Sequence, residues 1–305
     1  MKADSKEDLR APRRPALGYA FLDNSALWQL RRAEIRDRLW ERLEYRGMTL
    51  MLTELNVLQA LAAGPVRGRE LLEILTGVAR SQWVLPAPDA FLRDAITQVT
   101  SATISLSAEL FELRRADAIE DFEAEARRAK AWTARADAAY RDHLRQHQAS
   151  IRQGLRARGV RPTIDLLPAF NADWPSMRNY GELRQHLWTL LGFASDAPDA
   201  LEQRLPPLRI ELAAQGVGLF EHAIAYDAGK PTERTDLLQL CYLGMSQYAL
   251  LVTNDHGQQR AANTILQLPG FEGMALSLDQ LLAPTGDKLP RPSQQGAQGA
   301  RDGEL

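Results

Sequence analysis

The stretch Thr235–Asp255 reads TDLLQLCYLGMSQYALLVTND, and the fold is decided here. Asp236 opens a helical pattern, DLLQLCYLGMSQY, and Ala249–Thr253 (ALLVT) is a short apolar run ending at Asn254-Asp255. A brief apolar run bounded by turn residues is the signature of a buried strand. Downstream, GQQRAANTILQL reads as a helix, GMALS as a last strand and LDQLL as a short closing helix. Upstream, Leu208–Tyr226 reads as a helix and DAGKPTER as a loop.

The same grammar appears near the start of the chain. Leu17–Leu22 (LGYAFL) is an apolar run ending at Asp23. A helical stretch, ALWQLRRAEIRDRLWERLEYRG, carries Leu27, Leu30, Ile35, Leu39 and Leu43 at near-helical spacing, with Gly47 as its stop signal. A second apolar run, MTLMLT, then leads into Glu54, which begins the helix ELNVLQALAA, closed by Gly64-Pro65. Strand–helix–strand–helix order argues for a parallel sheet covered by helices. The expected fold is therefore α/β, a parallel sheet flanked by helices and interrupted by an α-helical insertion.

The interruption is the middle of the chain. From about Pro86 to Leu205 long helical patterns dominate, above all in Ser101–Gly159, dense in Ala, Arg and Glu. This predicts a first α/β part at 17–85, a helical insertion at 86–207 and a second α/β part at 208–283. Tails at 1–16 and 284–305, rich in charge, Pro, Gly and Gln, are expected to be disordered.

Bulk properties narrow the field. The 305 residues are 45% hydrophobic and 25% charged, as in an ordinary globular protein. No apolar run approaches the roughly 20 residues that span a bilayer, so no membrane partner is expected. The N-terminal MKADSKEDLRAPRRPA has no apolar stretch and does not read as a secretory signal, which points to the cytoplasm. A single cysteine, Cys241, excludes an internal disulfide framework and a multi-thiolate zinc site, and reads as a small core residue. With a formal net charge of −2, nucleic acid could be engaged only by a local basic surface.

Four acids stand out: Asp23 and Asp255 after apolar runs, and Glu54 and Asp236 at helix starts. Taken singly, an acid at such a place is usually a turn or N-cap residue. Taken together they have another reading, because strand ends of an open parallel sheet converge on one crevice. Carboxylates without Cys or His partners make a hard oxygen cage suited to Mg²⁺ or Mn²⁺. Like charges that close repel unless a cation neutralises them, and two such ions support in-line phosphoryl displacement.

On FLDNSAL, LTELNVLQAL, TDLLQLCYLGMSQYALLVTND and GMALSLDQLL, taken in order, the chain resembles the PIN-domain nucleases. The resemblance covers roughly residues 17–80 and 208–283. It implies Asp23, Glu54, Asp236 and Asp255 as metal ligands, with Ser25 and Thr253 as auxiliary polar groups. It further implies Mg²⁺- or Mn²⁺-dependent hydrolysis of single-stranded RNA by a metal-bound water. Such proteins are often toxins with an inhibitory protein partner, or effectors of phage defence. The chain departs from the family in two ways: about 180 residues separate Glu54 from Asp236, and His256-Gly257-Gln258 stands where many members carry another acid and an aromatic. Glu233 reads as a loop charge or a substitute acid, and His256 as a solvated turn residue.

The arginines of the first helix alternate with Glu34, Asp37, Glu41 and Glu44, favouring a salt-bridged solvent face. The more purely basic Arg127–Lys130 and Arg152–Arg161 are the RNA-contact candidates. Trp174, Tyr180 and Trp188 suit core packing better than base stacking. The alternative function is a catalytically inactive PIN-like module that binds RNA or protein through its helical insertion. A phosphatase with a nucleophilic first-strand Asp would want a second acid where Ser25 stands.

Overall fold

The apolar runs before Asp23 and Asp255 form neighbouring strands of one parallel sheet. The computed structural model describes residues 18–100, 110–161, 163, 166–199, 201–224 and 234–283. The expected tails, residue 17 of the first expected strand, residues 101–109 of the expected helical pattern, residues 225–226 of the expected helix and residues 227–233 of the expected loop, Glu233 included, lie outside them.

In chain order the strands are β1 (Gly18–Leu22), β2 (Met48–Met51), β3 (Trp83–Val84), β4 (Phe111–Glu112), β5 (Tyr248–Val252) and β6 (Glu272–Leu276). The main sheet runs β2-β1-β5-β6, all parallel, with Ala20 opposite Leu50 on one side and Leu250 on the other. β1 is central: the chain lays β2 on one side of it and returns much later to lay β5 on the other. The order reverses between β1 and β5, and such a switch point opens a crevice at the carboxyl ends of the two strands.

The helices are α1 (Asn24–Leu27), α2 (Ala33–Tyr45), α3 (Glu54–Ala62), α4 (Pro65–Val78), α5 (Pro88–Thr100), α6 (Phe122–Ala157), α7 (Leu167–Asp173), α8 (Arg178–Leu190), α9 (Leu201–Arg204), α10 (Pro206–Ile224), α11 (Arg234–Leu238), α12 (His256–Ile265) and α13 (Leu278–Leu282). Both faces of the sheet are covered. Ala20, Leu22, Leu50, Leu250 and Val252 point into one core with Leu39 and Leu43 of α2, Val57 and Leu61 of α3 and Leu72 and Leu75 of α4. Phe21, Ala249 and Leu251 point into the other, with Ala214, Val217 and Phe220 of α10 and Ala261 and Ile265 of α12. This two-sided burial is why the strands read as unbroken apolar runs.

Three local expectations are corrected. The helix anticipated from Ala26 to Gly47 breaks into α1, a 3₁₀ turn at Trp28–Arg31 and α2, with Arg32 extended between them. Arg36 stabilises the break by donating Nη1 to the carbonyls of Leu30 (3.0 Å) and Arg31 (3.3 Å). Arg38 likewise donates to the carbonyl of Leu282 (2.9 Å), so these two side chains serve backbone oxygens of the fold. Asp236 lies inside α11 instead of opening it, and the chain tightens into a 3₁₀ helix at Gln239–Met245. The helical pattern after Ser101 is broken by β4, which pairs antiparallel with β3.

The middle region is mainly helical and shares both cores of the sheet. α6, at 36 residues, is about 54 Å long. Its start is buried in the first core through Phe122, Ala126 and Ala129. Its end is buried in the second through Ile151 and Leu155. On the way it packs against α3, α4, α10 and α11. Trp174 and Trp188 are buried, with Trp174 tilted against Phe170 and Trp188 stacked on Phe193. Cys241 is buried as expected of a core residue. No described helix is long and apolar enough to cross a membrane.

Candidate acidic site

Asp23 follows the last residue of β1, and its N–H continues the ladder by donating to Val252 O (2.9 Å). Thr253 holds the same place after β5 and donates its N–H to Leu276 O (2.9 Å). The sheet pairing thus sets the two side chains beside one another. Thr253 Oγ1 donates to Asp23 Oδ2 (3.2 Å), and the Ser25 N–H donates to the same oxygen (2.8 Å).

Ser25 Oγ lies 3.1 Å from Thr253 Oγ1 and accepts the N–H groups of Asn254 (2.8 Å) and Asp255 (3.1 Å). A hydroxyl has one proton to give. Thr253 gives its proton to Asp23, and the Ser25 hydroxyl also lies within hydrogen-bond reach of that carboxylate. The two hydroxyls thus tie the Asn254–Asp255 backbone to the Asp23 carboxylate. Asp255 N–H reaches Thr253 Oγ1 as well (3.0 Å).

Asp23 is 3% exposed. Burial pushes its carboxyl above the ordinary value of 3.8, against the hydrogen bonds from Ser25, Thr253 and the Asn24 backbone. Asp255 is exposed, and its Oδ1 caps α12 by accepting Gln258 N–H (2.8 Å). The N-cap use of an acid, the ordinary reading of such positions, is therefore realised at both Asp23 and Asp255.

Asp236 is half-buried on α11. Its carbonyl accepts Gln258 Nε2 (3.0 Å), which also reaches Gln239 Oε1 (3.2 Å). Gln239 Nε2 in turn donates to Leu22 O at the end of β1 (2.8 Å). On the opposite side, Asn56 Nδ2 donates to the same Leu22 carbonyl (2.7 Å) and to Asn24 Oδ1 (3.0 Å). Asn56 also closes a capping box with Thr53 at the start of α3. Glu54 is half-buried, and its Oε2 accepts the Ala87 N–H just before α5 (2.8 Å). Burial raises its carboxyl above the ordinary value of 4.5, opposed by that bond and reinforced by Asp89.

Asp23, Ser25, Thr253 and Asp255 thus form one contiguous network. The Asp236 backbone carbonyl is tied to Asp255 by way of Gln258, and Glu54 lies past β2 with its carboxylate on the Ala87 N–H. Among the described residues no three His, Cys, Asp or Glu side chains stand close enough to hold a metal ion as they are. In kind the donors fit a hard divalent cation: carboxylates and hydroxyls, with no sulfur or imidazole joined to the network. His256 is the exposed first residue of α12.

The amides Asn56, Gln239 and Gln258 were not singled out from the sequence, although all three are buried. Asn56 had a signal, the Thr-x-x-Asn spacing of a capping box. Gln239 stands alone in an apolar helical stretch, where a polar residue must find a partner.

No protein-family model, no curated protein and no solved structure matches the chain.

Proposed function

We propose that the protein is a Mg²⁺- or Mn²⁺-dependent ribonuclease of PIN-like fold, working at the carboxyl ends of β1 and β5. The observation that carries this reading is the Asp23–Ser25–Thr253–Asp255 network at the switch point of the sheet. It is reinforced by the resemblance of FLDNSAL, LTELNVLQAL and TDLLQLCYLGMSQYALLVTND to the acid motifs of PIN-domain nucleases, which also points to RNA as substrate.

A divalent cation held by the acids that the resemblance implies would supply an activated water and neutralise charge on the scissile phosphate. The remaining work falls to the chain. Asp23 is held in one orientation by Thr253 and Ser25 and kept dry, so its charge acts at full strength on anything placed over it. Burial raises its proton affinity, and a nearby cation favours the ionised form. Asp255 is exposed next to Thr253, and Asp236 and Glu54 are the further acids that the resemblance assigns to the site.

The test is a divalent-metal titration with an unstructured RNA. Cleavage that needs Mg²⁺ or Mn²⁺ and disappears in Asp23→Asn and Asp236→Asn, with folding intact, supports the reading. Unchanged activity in both variants contradicts it.

A second reading is favoured by one observation: Glu54 and Asp255 already accept backbone N–H groups, and the carboxylates are not gathered. On this reading the site is inert and the protein binds RNA through α6, which carries Arg127, Arg128, Lys130, Arg152 and Arg156. Arg127 and Arg128 are paired with Glu123 (3.7 Å) and Glu125 (3.0 Å). RNA binding without cleavage at any metal concentration would decide for it.

A further inference from the structure

The chain that leaves Asp23 turns through α1 and the 3₁₀ turn Trp28–Arg31 without a break. Side chains three residues apart lie on one side of an α-helix and eclipse in a 3₁₀ turn. Ser25, Trp28 and Arg31 are all exposed, whereas Ala26, Leu27 and Leu30 between them are fully buried. One exposed stripe therefore runs from the Ser25 hydroxyl, which holds the N–H of Asp255, to an indole and then to a guanidinium.

The indole is 39% exposed, in a position where Leu27 and Leu30 already fill the core. The guanidinium of Arg31 lies over it, 4.8 Å from the ring centroid. Arg36 pins the turn from below through the carbonyls of Leu30 and Arg31. The result is an exposed indole with a guanidinium over one of its faces, one helical turn from the acidic crevice.

We propose that Trp28 and Arg31 form a stacking subsite for an unpaired nucleobase and its adjoining phosphate, so that the site selects single-stranded RNA over duplex. This deepens the ribonuclease reading and rests on it. An aromatic face accepts any base once that base is unstacked, and the nearby cation meets the phosphate. In a duplex the base faces are taken by their neighbours, and the A-form shape offers side chains little purchase on them. Ser25 links the two functions, because its hydroxyl is bonded to the crevice and its helical face continues into the platform.

The experiment uses the full chain with a fluorescein-labelled unstructured RNA oligonucleotide and a duplex RNA of equal length. Anisotropy titrations are run in EDTA, and cleavage is measured with Mn²⁺. Trp28→Ala is expected to weaken single-strand binding about 10- to 100-fold, with Trp28→Phe keeping most of the affinity. Duplex binding should stay as in the parent protein. Arg31→Ala should weaken single-strand binding several-fold and flatten its salt dependence. In the cleavage assay Trp28→Ala should raise KM and leave kcat nearly unchanged. The proposal is overturned if Trp28→Ala binds single strands as the parent does, if Trp28→Phe is as weak as Trp28→Ala, or if the parent binds no RNA. Normal cleavage with an unmoved KM in Trp28→Ala sinks the platform and leaves the hydrolase. Trp28-dependent binding without cleavage keeps the platform and sinks the hydrolase.

Discussion

Asp23 and Glu54 both lie between an apolar strand and a helix, Asp23 as the N-cap of α1 and Glu54 as the first residue of α3, and the fold treats them differently. Asp23 lies between two paired strands, is nearly sealed from water and receives the donors of Ser25 and Thr253. Glu54 lies beside β2, where Thr53 bridges to Leu85, and its carboxylate turns outward to Ala87. The difference comes from what lies next door. Past β1 the neighbour is a strand end with a hydroxyl to offer, and past β2 it is the start of α5 with a free N–H. Similar settings in sequence become a dry carboxylate that caps α1 in one case and an acceptor for the Ala87 N–H in the other.

The sharpest way to break this contrast is Asp23→Asn. If the dry carboxylate is the centre of the chemistry, metal-dependent RNA cleavage should fall by more than the roughly 10- to 100-fold typical of outer partners. The Asn amide still accepts from Ser25, so circular dichroism should report a folded protein. Retained cleavage would place the chemistry elsewhere.

Thr253→Val comes next. It removes the hydroxyl that donates to Asp23 and accepts from Asp255, at a fully buried position. We expect a loss of about 1–3 kcal/mol in denaturant unfolding. Cleavage should fall roughly 10- to 100-fold, as for an outer partner. A variant with unchanged stability would mean that the hydroxyl chain does not organise the site.

Glu54 tests the other side. Glu54→Ala should destabilise by about 1 kcal/mol through the lost hydrogen bond, whereas Glu54→Gln keeps an acceptor for Ala87 and should be near neutral. If Glu54 also serves the site, Glu54→Gln loses cleavage while keeping its melting temperature. If Glu54 is only that acceptor, Glu54→Gln cleaves normally.

The smallest effect is in pH. Both carboxyls are raised by burial, so between their ordinary values of 3.8 and 4.5 and the higher folded values the native state holds more protons than the unfolded chain. Stability from these groups is therefore full at low pH and lost as pH rises through the folded values. In EDTA the melting temperature should decline across that window, less steeply in Asp23→Asn. Added Mn²⁺ should restore part of the loss at neutral pH in the parent alone. An identical slope in Asp23→Asn would exclude Asp23 as its source.

The strands were legible because burial on both faces leaves unbroken apolar runs, as in YAFL and ALLVT. Asp23 and Asp255 were legible for the same reason, since each marks where such a run stops. What could not be read was partnership. Nothing local in Glu54 foretells Ala87, and nothing in Gln239 names the Leu22 carbonyl more than 200 residues away. The break at Arg32 escaped because Leu27, Leu30 and Leu39 fit a continuous helix as well as two pieces. The pairing of β3 with β4 escaped because each is only two residues long.

The most direct measurement is Mn²⁺ binding to the full chain, followed by electron paramagnetic resonance of the free ion. If the crevice at β1 and β5 holds a divalent cation, binding should be saturable in the parent protein and greatly weakened in Asp23→Asn, both folded. The absence of saturable binding, or equal binding in Asp23→Asn, would contradict a metal site at the switch point.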